Sequence, residues 1–208
     1  MAELALKPGS LVLVTGVNGF IGSHIVDQLL AHGYHVRGTV RDVVKAEWMS
    51  EFFRSRHPDN QFELVAVPDM SKEGCYDEAV KDELLAHCWV WQLTRNEVGM
   101  LAGPALAGLG AAGVVHVASI MTGGPPQEVV PPVVAGGLNT LESAAKEPSV
   151  MRFVYTSSSV AATLAKPNVA LAIGETTYNE EAIQGAYNFP DDENESFKGM
   201  CIYEASKG

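Results

Sequence analysis

The chain has 208 residues, which suffice for one domain with a sizeable core and are too few for two full domains. Its 14 Lys and Arg against 25 Asp and Glu give a net charge of −11, and the basic residues are scattered, so we expect no nucleic-acid partner. Apolar residues make up 47% and charged residues 19%, which is the composition of a folded globular chain rather than a disordered one.

The sequence also lacks the signals of a metal site, of secretion and of a membrane span. The cysteines are far apart, show no metal-ligand spacing and are predicted to be reduced thiols: Cys75, Cys88 and Cys201. Met1–Ser10 has no basic segment followed by an apolar one, which predicts a cytoplasmic protein. No charged residue lies between Glu97 and Glu128, but glycines and a proline interrupt this stretch, and we expect no membrane span.

From Leu11 onward, short apolar runs alternate with segments of helical periodicity. The runs predict five strands, at Leu11–Val14, His35–Val40, Phe62–Val67, Val114–Ala118 and Arg152–Thr156. The periodic segments predict helices from Phe20 to a C-terminal cap at Gly33, and at Lys45–Arg56, Tyr76–Leu85 and Val129–Ala145. This alternation predicts an α/β fold with a doubly wound parallel sheet of the Rossmann type.

One predicted connection is too long for this fold. Some 45 residues separate the third strand from the fourth, where one helix and short loops are usual. Residues 82–112 resemble neither an amphipathic helix nor a solvated loop. Two interpretations stay open, an inserted lobe and sequence foreign to the fold, such as a translated intervening segment.

A glycine-rich motif follows the first predicted strand and opens the first helix. Gly16, Gly19 and Gly22 stand at GxxGxxG spacing, and Phe20 and Ile21 fill the first helical turn. Glycines at such a turn let a pyrophosphate approach the free N–H groups and the positive end of the helix dipole. The motif predicts a dinucleotide site at these residues, and the alternative is a turn that only lets helix and strand pack.

The end of the second strand indicates which dinucleotide is bound. A carboxylate there favours a ribose 2′-hydroxyl, whereas an arginine accommodates a 2′-phosphate. Arg41, with Arg37 and Lys45 nearby, favours NADP; Asp42 beside it leaves NAD open, and these basic residues could also be merely solvated. Asp69, after the third strand, is placed to contact an adenine or to form a turn.

Two further motifs carry hydroxyl and amine groups. Three serines, Ser157–Ser159, follow the fifth strand at the sheet edge where such folds bind ligands. Tyr203 and Lys207 stand four residues apart, which on a helix places them on one face. An ammonium there stabilises a phenolate, and a phenol needs that help to act as an acid or base near neutrality.

Together these motifs resemble the extended branch of the short-chain dehydrogenase/reductases, and most of all its dihydroflavonol-reductase-like group and the fungal aldehyde and ketone reductases. The resemblance rests on Thr15-Gly16-x-x-Gly19-x-x-Gly22, on Thr156-Ser157-Ser158 and on Tyr203-x-x-x-Lys207. It covers most of residues 8–80 and 113–208. Further marks of the group are Val36–Asp42, His116–Ser119 and Phe153–Ser158.

The resemblance implies hydride transfer from NADPH to a carbonyl carbon of a small molecule. By the family pattern Tyr203 would protonate the carbonyl oxygen, Ser158 would hydrogen-bond it, and Lys207 would hold the nicotinamide ribose and tune Tyr203. Ser157 and Ser159 are the alternatives to Ser158. The resemblance also implies cofactor contacts at Met70, Val117, Ala118 and Ser119.

Family members continue well beyond the Tyr-Lys helix, whereas this sequence stops one residue after Lys207. We therefore expect residues 8–208 to be an NAD(P)-binding domain incomplete at its C-terminus, with 82–112 an atypical insertion. Two alternatives to a carbonyl reductase stay open. One is an NAD-dependent nucleotide-sugar epimerase or dehydratase, and the other is an inactive dinucleotide-binding fragment.

Overall fold

Five parallel strands form one sheet with the order β3-β2-β1-β4-β5. The computed structural model describes residues 5–81, 110–120, 124–163, 168–189 and 195–207. The strands are β1 Leu11–Thr15, β2 His35–Val40, β3 Phe62–Ala66, β4 Gly113–His116 and β5 Arg152–Tyr155. The predicted doubly wound parallel sheet is thus confirmed, with each strand within two residues of its expected bounds.

The described helices flank this sheet. They are α1 Phe20–Ala31, α2 Val43–Ala46, α3 Trp48–Arg56, α4 Asp77–Val80, α5 Pro126–Lys146, α6 Glu180–Gly185 and α7 Glu195–Ala205. Gly33 has a φ of +84°, the left-handed conformation expected of a glycine that ends a helix, as predicted for α1.

Two helix predictions were wrong in detail. The helix expected at Lys45–Arg56 is two helices, α2 and α3, separated by the turn residue Glu47. The first of them begins earlier than expected, at Val43, because Asp42 caps it by accepting a hydrogen bond from the Lys45 amide. The helix expected at Tyr76–Leu85 ends at Val80, because Lys81 has extended backbone with φ −74° and ψ 162°. Residues 82–85 lie outside the described residues.

Apolar side chains cover both faces of the sheet, as its strands require. On one face Val12 and Val36 pack against Leu30 of α1 and Phe53 of α3. On the other face Leu13 and Val114 pack against residues of α4 and α5, among them Val80 and Ala144. The alternation of Val12, Leu13 and Val14 between the two clusters is the period of two that a strand imposes.

Arg37 lies inside this core and not at the ribose end of β2. It is 1% exposed, pairs with Glu63 of β3, and donates from Nη1 to the carbonyls of Ala79 and Lys81 at 2.9 and 2.8 Å. The grouping of Arg37 with the cofactor-facing basic residues was therefore wrong. A strand covered on both faces tolerates an arginine only where its donors find partners, and here they fix the end of α4.

The chain closes on itself at the boundaries of residues 82–109. The Ala111 amide donates to the Val80 carbonyl at 3.0 Å, and the Ala112 amide donates to the Leu11 carbonyl at 2.8 Å. The Ser149 hydroxyl holds the Ala111 carbonyl from the other side at 2.9 Å. Lys81 and Gly110, the two described residues that flank the long connection, are thus brought together. The atypical segment itself, apart from residues 110–112, lies outside the described residues.

None of the helices in the described ranges combines the length and the apolar run that crossing a membrane requires. Cys75 and Cys201 are thiols, and Cys88 lies outside the described residues.

Candidate cofactor and active site

The glycine loop between β1 and α1 is wound so tightly that side chains would not fit. Gly16 has a φ of +66°, and a Cβ built on it would lie 2.9 Å from the Ala118 Cα. A Cβ on Gly22 would lie 2.3 Å from the Gly16 carbonyl oxygen. Real Cβ atoms do not approach backbone this closely, so the loop needs glycine at both positions. The structure thereby brings the loop against the exit of β4.

The loop presents the start of α1 to solvent. Gly19 is the N-cap and supplies no side-chain acceptor, and the first helical N–H groups, those of Phe20, Ile21 and Gly22, have no intrahelical partner. Phe20 is 80% and Ile21 52% exposed, so this end of the helix is open. Free amides at the positive end of a helix dipole, next to a loop without side chains, fit the pyrophosphate of a dinucleotide.

Thr15 joins the loop to β4 by hydrogen bonds. Its Oγ1 accepts from the amides of Val117 and Ala118 at 2.9 and 3.0 Å, and lies 3.1 Å from His116 Nδ1. These bonds hold the β4 exit, where Val117, Ala118 and Ser119 were predicted to contact the cofactor, directly beside the glycine loop.

At the end of β2 the basic and acidic residues differ in how they are engaged. Arg41 is exposed and, among the described residues, has no hydrogen bond or ion pair. Asp42 accepts the Lys45 amide at 3.2 Å, which lowers the pKa of its carboxyl, and its second oxygen lies 3.5 Å from Lys45 Nζ. The carboxylate is occupied by its own helix, and Arg41 is open to an anion.

The exit of β3 is held by turn and packing contacts. Asp69 accepts from the amide and the hydroxyl of Ser71 at 2.9 and 2.6 Å, and the hydroxyl lowers the pKa of this carboxyl. Met70 packs on Gly136 of α5, where a Cβ would lie 2.9 Å from its sulfur. Asp69 thus forms the turn that was one of its two predicted roles. It is also exposed, and because β2 and β3 are parallel it lies at the same edge of the sheet as the end of β2.

Tyr203 and Lys207 meet at the end of α7. The Lys207 Nζ lies 5.7 Å from the centre of the Tyr203 ring. Lys207 is 8% exposed, and burial lowers the pKa of its ammonium. Lys207 follows the last helical residue, Ala205, and its amide bonds the Glu204 carbonyl in a tight final turn.

The three serines after β5 differ in their hydrogen bonds and exposure. The Ser157 hydroxyl donates to the Lys207 carbonyl at 3.1 Å, which joins β5 to the end of α7. Ser158 precedes a short 3₁₀ turn, Ser159–Ala161, and its hydroxyl has no hydrogen bond to another described residue. Of the three, Ser158 is half-buried with an uncommitted hydroxyl, whereas Ser159 is exposed.

The structure thus joins the glycine loop to the β4 exit and the β5 exit to the Tyr203–Lys207 pair. Within the described residues it shows no hydrogen bond between Ser158 and Tyr203. The sequence analysis named Thr15 and His116 only as marks of the family and missed that both are buried in contact with each other and that Thr140 lies beside them. It also missed the buried carboxyl of Glu204 beside Tyr203. A polar residue inside an apolar strand, as His116 is, was the available signal, because such a group must find partners.

The fold is shared with known proteins. A family model described as GDP-mannose 4,6 dehydratase matches residues 13–83. Aldehyde reductase 2 of Sporidiobolus salmonicolor is 41% identical over 204 residues, which are 97% of this chain and 50% of that protein. The chain belongs to the short-chain dehydrogenase/reductase family, in its epimerase/dehydratase-like branch. This confirms the family expected from the motifs.

Two further proteins are similar to this chain over most of its length. The NAD-dependent epimerase/dehydratase terH of Aspergillus terreus is 40% identical over 203 residues, 97% of this chain and 51% of that protein. Gre2 of Candida albicans, in a crystal structure with NADPH, matches with a TM-score of 0.67 at 25% identity, over 95% of this chain and 49% of that one. The chain therefore spans about half the length of the family members it matches.

Proposed function

We propose that this chain is the cofactor-binding part of an NADPH-dependent reductase that converts an aldehyde or ketone to an alcohol. The observation that carries the proposal is the meeting of Tyr203 and Lys207 beside the serines that leave β5, in a sheet whose glycine loop opens at β1, two strands away. The similarity to an aldehyde reductase and to Gre2 solved with NADPH supports it.

The loop and the strand exits would hold the dinucleotide. The amides of Phe20, Ile21 and Gly22 would bind the pyrophosphate, and the absence of a Cβ at Gly16 lets the loop pack directly against Ala118 of the β4 exit. Val117, Ala118 and Ser119 would line the cofactor on the β4 side. Asp69 and Met70 would lie at the adenine, as the family pattern implies.

Arg41 favours NADP over NAD in this proposal. It is exposed at the ribose end of β2, where a guanidinium can bind a 2′-phosphate by two hydrogen bonds. Asp42, the carboxylate that would bind a ribose 2′-hydroxyl of NAD, already accepts the Lys45 amide. Lys45, in the first turn of α2 and four residues after Arg41, adds positive charge. This pattern argues against the alternative of an NAD-dependent epimerase or dehydratase. The similarity to terH supports that alternative.

The reaction needs a proton donor and hydrogen-bond donors at the carbonyl oxygen. The nicotinamide of the bound cofactor supplies the hydride. Tyr203 would donate the proton to the oxygen as negative charge develops there, and Ser158, with its uncommitted hydroxyl, would hydrogen-bond the same oxygen. Lys207 would stabilise the phenolate that Tyr203 becomes and hold the nicotinamide ribose. Its burial strengthens that electrostatic interaction.

The experiment measures NADPH binding by fluorescence and NADPH consumption with a panel of aldehydes and ketones. Tyr203→Phe should lower turnover by about 10²- to 10⁴-fold, the usual worth of a general acid, and leave NADPH affinity within a few-fold. Tyr187→Phe, which changes an exposed tyrosine on the neighbouring segment, is the matched control and should leave both unchanged. Equal turnover of Tyr203→Phe and wild type would remove Tyr203 from the mechanism. NADPH binding without any turnover would favour the inactive dinucleotide-binding alternative.

Arg41→Ala tests the choice of cofactor separately. It should weaken NADPH binding by about tenfold or more and leave NADH binding nearly unchanged, because only NADPH carries the 2′-phosphate. Arg54→Ala, an exposed arginine of α3, is the control for a general loss of positive charge. A wild-type chain that prefers NADH would support the epimerase or dehydratase alternative instead.

A further inference from the structure

Glu204, which follows Tyr203 on α7, is a buried carboxyl that the proposed reaction does not use. It is 1% exposed, and its Oε1 has no hydrogen-bond partner within the part of the chain that the structure describes. Burial raises the pKa of this carboxyl most strongly, a hydrogen bond from the Asn179 side chain lowers it, and the Glu181 carboxylate of α6 raises it again. A buried carboxyl is costly unless it is hydrogen-bonded, so its bond with Asn179 is the contact that explains its place.

Asn179 is itself buried and joins two other elements. Its Oδ1 accepts from the Ala182 amide at 3.2 Å, which caps α6, and its Nδ2 donates to the Val160 carbonyl at 3.0 Å. Its backbone amide donates to the carbonyl of the last residue of the 3₁₀ turn Ser159–Ala161 at 2.8 Å. Because an amide nitrogen carries two protons, Nδ2 can donate to Val160 and to Glu204 at once. Asn179 thus links Glu204 to the 3₁₀ turn.

Both ends of this link lie next to residues of the candidate active site. The 3₁₀ turn begins directly after Ser158, and Glu204 directly follows Tyr203. Consecutive residues of an α-helix point about 100° apart, so the Glu204 and Tyr203 side chains leave α7 in different directions. A bond at Glu204 therefore fixes the rotation of α7 about its axis, and this rotation determines where the Tyr203 ring points.

The other contacts of α7 are less suited to fixing this rotation. Ile202 and Ala205 pack with Val129 of α5, and apolar contacts are non-directional. The Ser157 hydroxyl bonds the Lys207 carbonyl, which lies beyond the last helical residue. The Glu204 side chain supplies a directional bond at the residue next to Tyr203.

We propose that Glu204 is a positioning residue for Tyr203: its carboxyl holds Asn179, Asn179 holds the turn after Ser158, and this path sets the distance between the Tyr203 and Ser158 hydroxyls. The consequence for catalysis rests on the proposed function, whereas the hydrogen-bond path does not. Glu204 faces α6 and the segment before it, so it acts through Tyr203 and not on the substrate.

Two substitutions separate the hydrogen bond of Glu204 from its volume. Glu204→Gln keeps an acceptor oxygen for Asn179, whereas Glu204→Met keeps the length of the side chain and removes the acceptor. Glu204→Met should lower kcat for carbonyl reduction about tenfold and leave the KM for NADPH within about threefold. Glu204→Gln should keep both values within about threefold of wild type. Glu180→Met, the same change at an exposed residue of α6, is the matched control and should alter neither value.

The substitution Ser158→Ala distinguishes positioning from a general loosening of the fold. If the path sets the spacing of the two hydroxyls, Ser158→Ala should lower kcat by a factor about tenfold smaller in Glu204→Met than in wild type, because the hydroxyl is already misplaced. A loss of stability alone would leave that factor unchanged, and this outcome overturns the proposal. So does a wild-type kcat in Glu204→Met, or an equal loss of kcat in Glu204→Met and Glu204→Gln.

A second cycle needs neither cofactor nor turnover. Asn179→Ser keeps an N-cap acceptor for α6 and removes the Nδ2 donor. In urea denaturation, the effects of Glu204→Met and Asn179→Ser on the unfolding equilibrium constant should be non-additive by about tenfold, the coupling expected of one hydrogen bond. Additive effects overturn the path. If Glu204→Met does not fold, Asn179→Ser breaks the path from its other end and should give the same loss of kcat.

The NMR signals of the Tyr203 ring, assigned with Tyr203→Phe, decide the position of the ring whether or not the chain is active. They should move in Glu204→Met and in Asn179→Ser and stay in place in Glu204→Gln. If they move as expected in a chain without turnover, the proposed function fails and the positioning role stands. If they do not move in Glu204→Met or Asn179→Ser in a chain that reduces carbonyls, the positioning role fails and the proposed function stands.

Discussion

Removing residues 82–109 should leave a chain that folds and is more stable than the original. In the structure the Ala111 amide donates to the Val80 carbonyl at 3.0 Å. If Lys81 were joined directly to Gly110, residues 80, 81, 110 and 111 would become consecutive. The existing bond would then be the bond between the first and fourth residues of a β-turn.

The two residues at the centre of that turn suit it. Lys81 has φ −74° and ψ 162°, in the extended region to which the first central residue of a type II turn belongs. The second central residue would be Gly110, which would have to change to a positive φ, a change that glycine allows. The hydrogen bonds that flank the turn would also remain. Arg37 would still donate to the carbonyls of Ala79 and Lys81 on one side, and Ser149 to the carbonyl of Ala111 on the other.

The entropy of closing a loop sets an upper limit on the increase in the free energy of unfolding. Closing a 28-residue connection costs about (3/2)RT ln 28, or about 3 kcal/mol, more than joining neighbours directly. The free energy of unfolding should therefore rise by up to about 3 kcal/mol, measured by urea denaturation of the two chains with circular dichroism.

An equally long deletion shifted by four residues, 78–105, is the matched control. It removes Ala79 and Val80 from the core beside β4, and it should prevent cooperative folding. If the chain without 82–109 is less stable than the original or fails to fold, those residues belong to the folded unit and are no insertion into it.

Three further changes follow from buried groups. The pKa of His116 is about 4 in the folded chain and about 6.5 in an unfolded chain. As the pH falls, the unfolded state therefore binds a proton before the folded state does. The free energy of unfolding should drop by roughly 3 kcal/mol between pH 6.5 and 4. His116→Phe should remove most of that slope in urea titrations at several pH values, and an unchanged slope would mean that another group causes it. Arg37→Met should lower the free energy of unfolding by about 3 kcal/mol, because it leaves two carbonyls and Glu63 without their donor. The control Arg56→Met, at an exposed ion pair, should lower it by less than about 1 kcal/mol. Equal losses in the two variants would mean that Arg37 does not hold the end of α4. Gly16→Ala should weaken NADPH binding by at least about tenfold, since its Cβ would strike Ala118, and unchanged binding would place the dinucleotide elsewhere.

The strands were predictable because burial on both faces leaves a strong local signal. Leu11–Thr15 is apolar apart from its last residue, and the glycines after it mark the turn. The break between α2 and α3 and the early end of α4 were not predictable from periodicity. The end of α4 depends on Arg37, whose guanidinium reaches Ala79 and Lys81 from a strand 42 or more residues away.

The site was predictable only as far as its motifs are local. The spacing of Gly16, Gly19 and Gly22 indicated the loop, but it could not show that Gly16 lies against Ala118, because that contact depends on the packing of β1 on β4. Arg37 and Arg41 have the same side chain and stand only four residues apart. Only the position of the strand end, which Val40 marks, places one in the core and the other in solvent.

Whether this chain holds an NADP-type dinucleotide on its glycine loop is tested most directly by titrating the purified chain with NADPH and with NADH. We expect saturable binding of NADPH, weaker binding of NADH, and loss of the difference in Arg41→Ala. Equal affinity for the two dinucleotides in the wild-type chain, or no binding of either by a folded chain, would contradict this assignment.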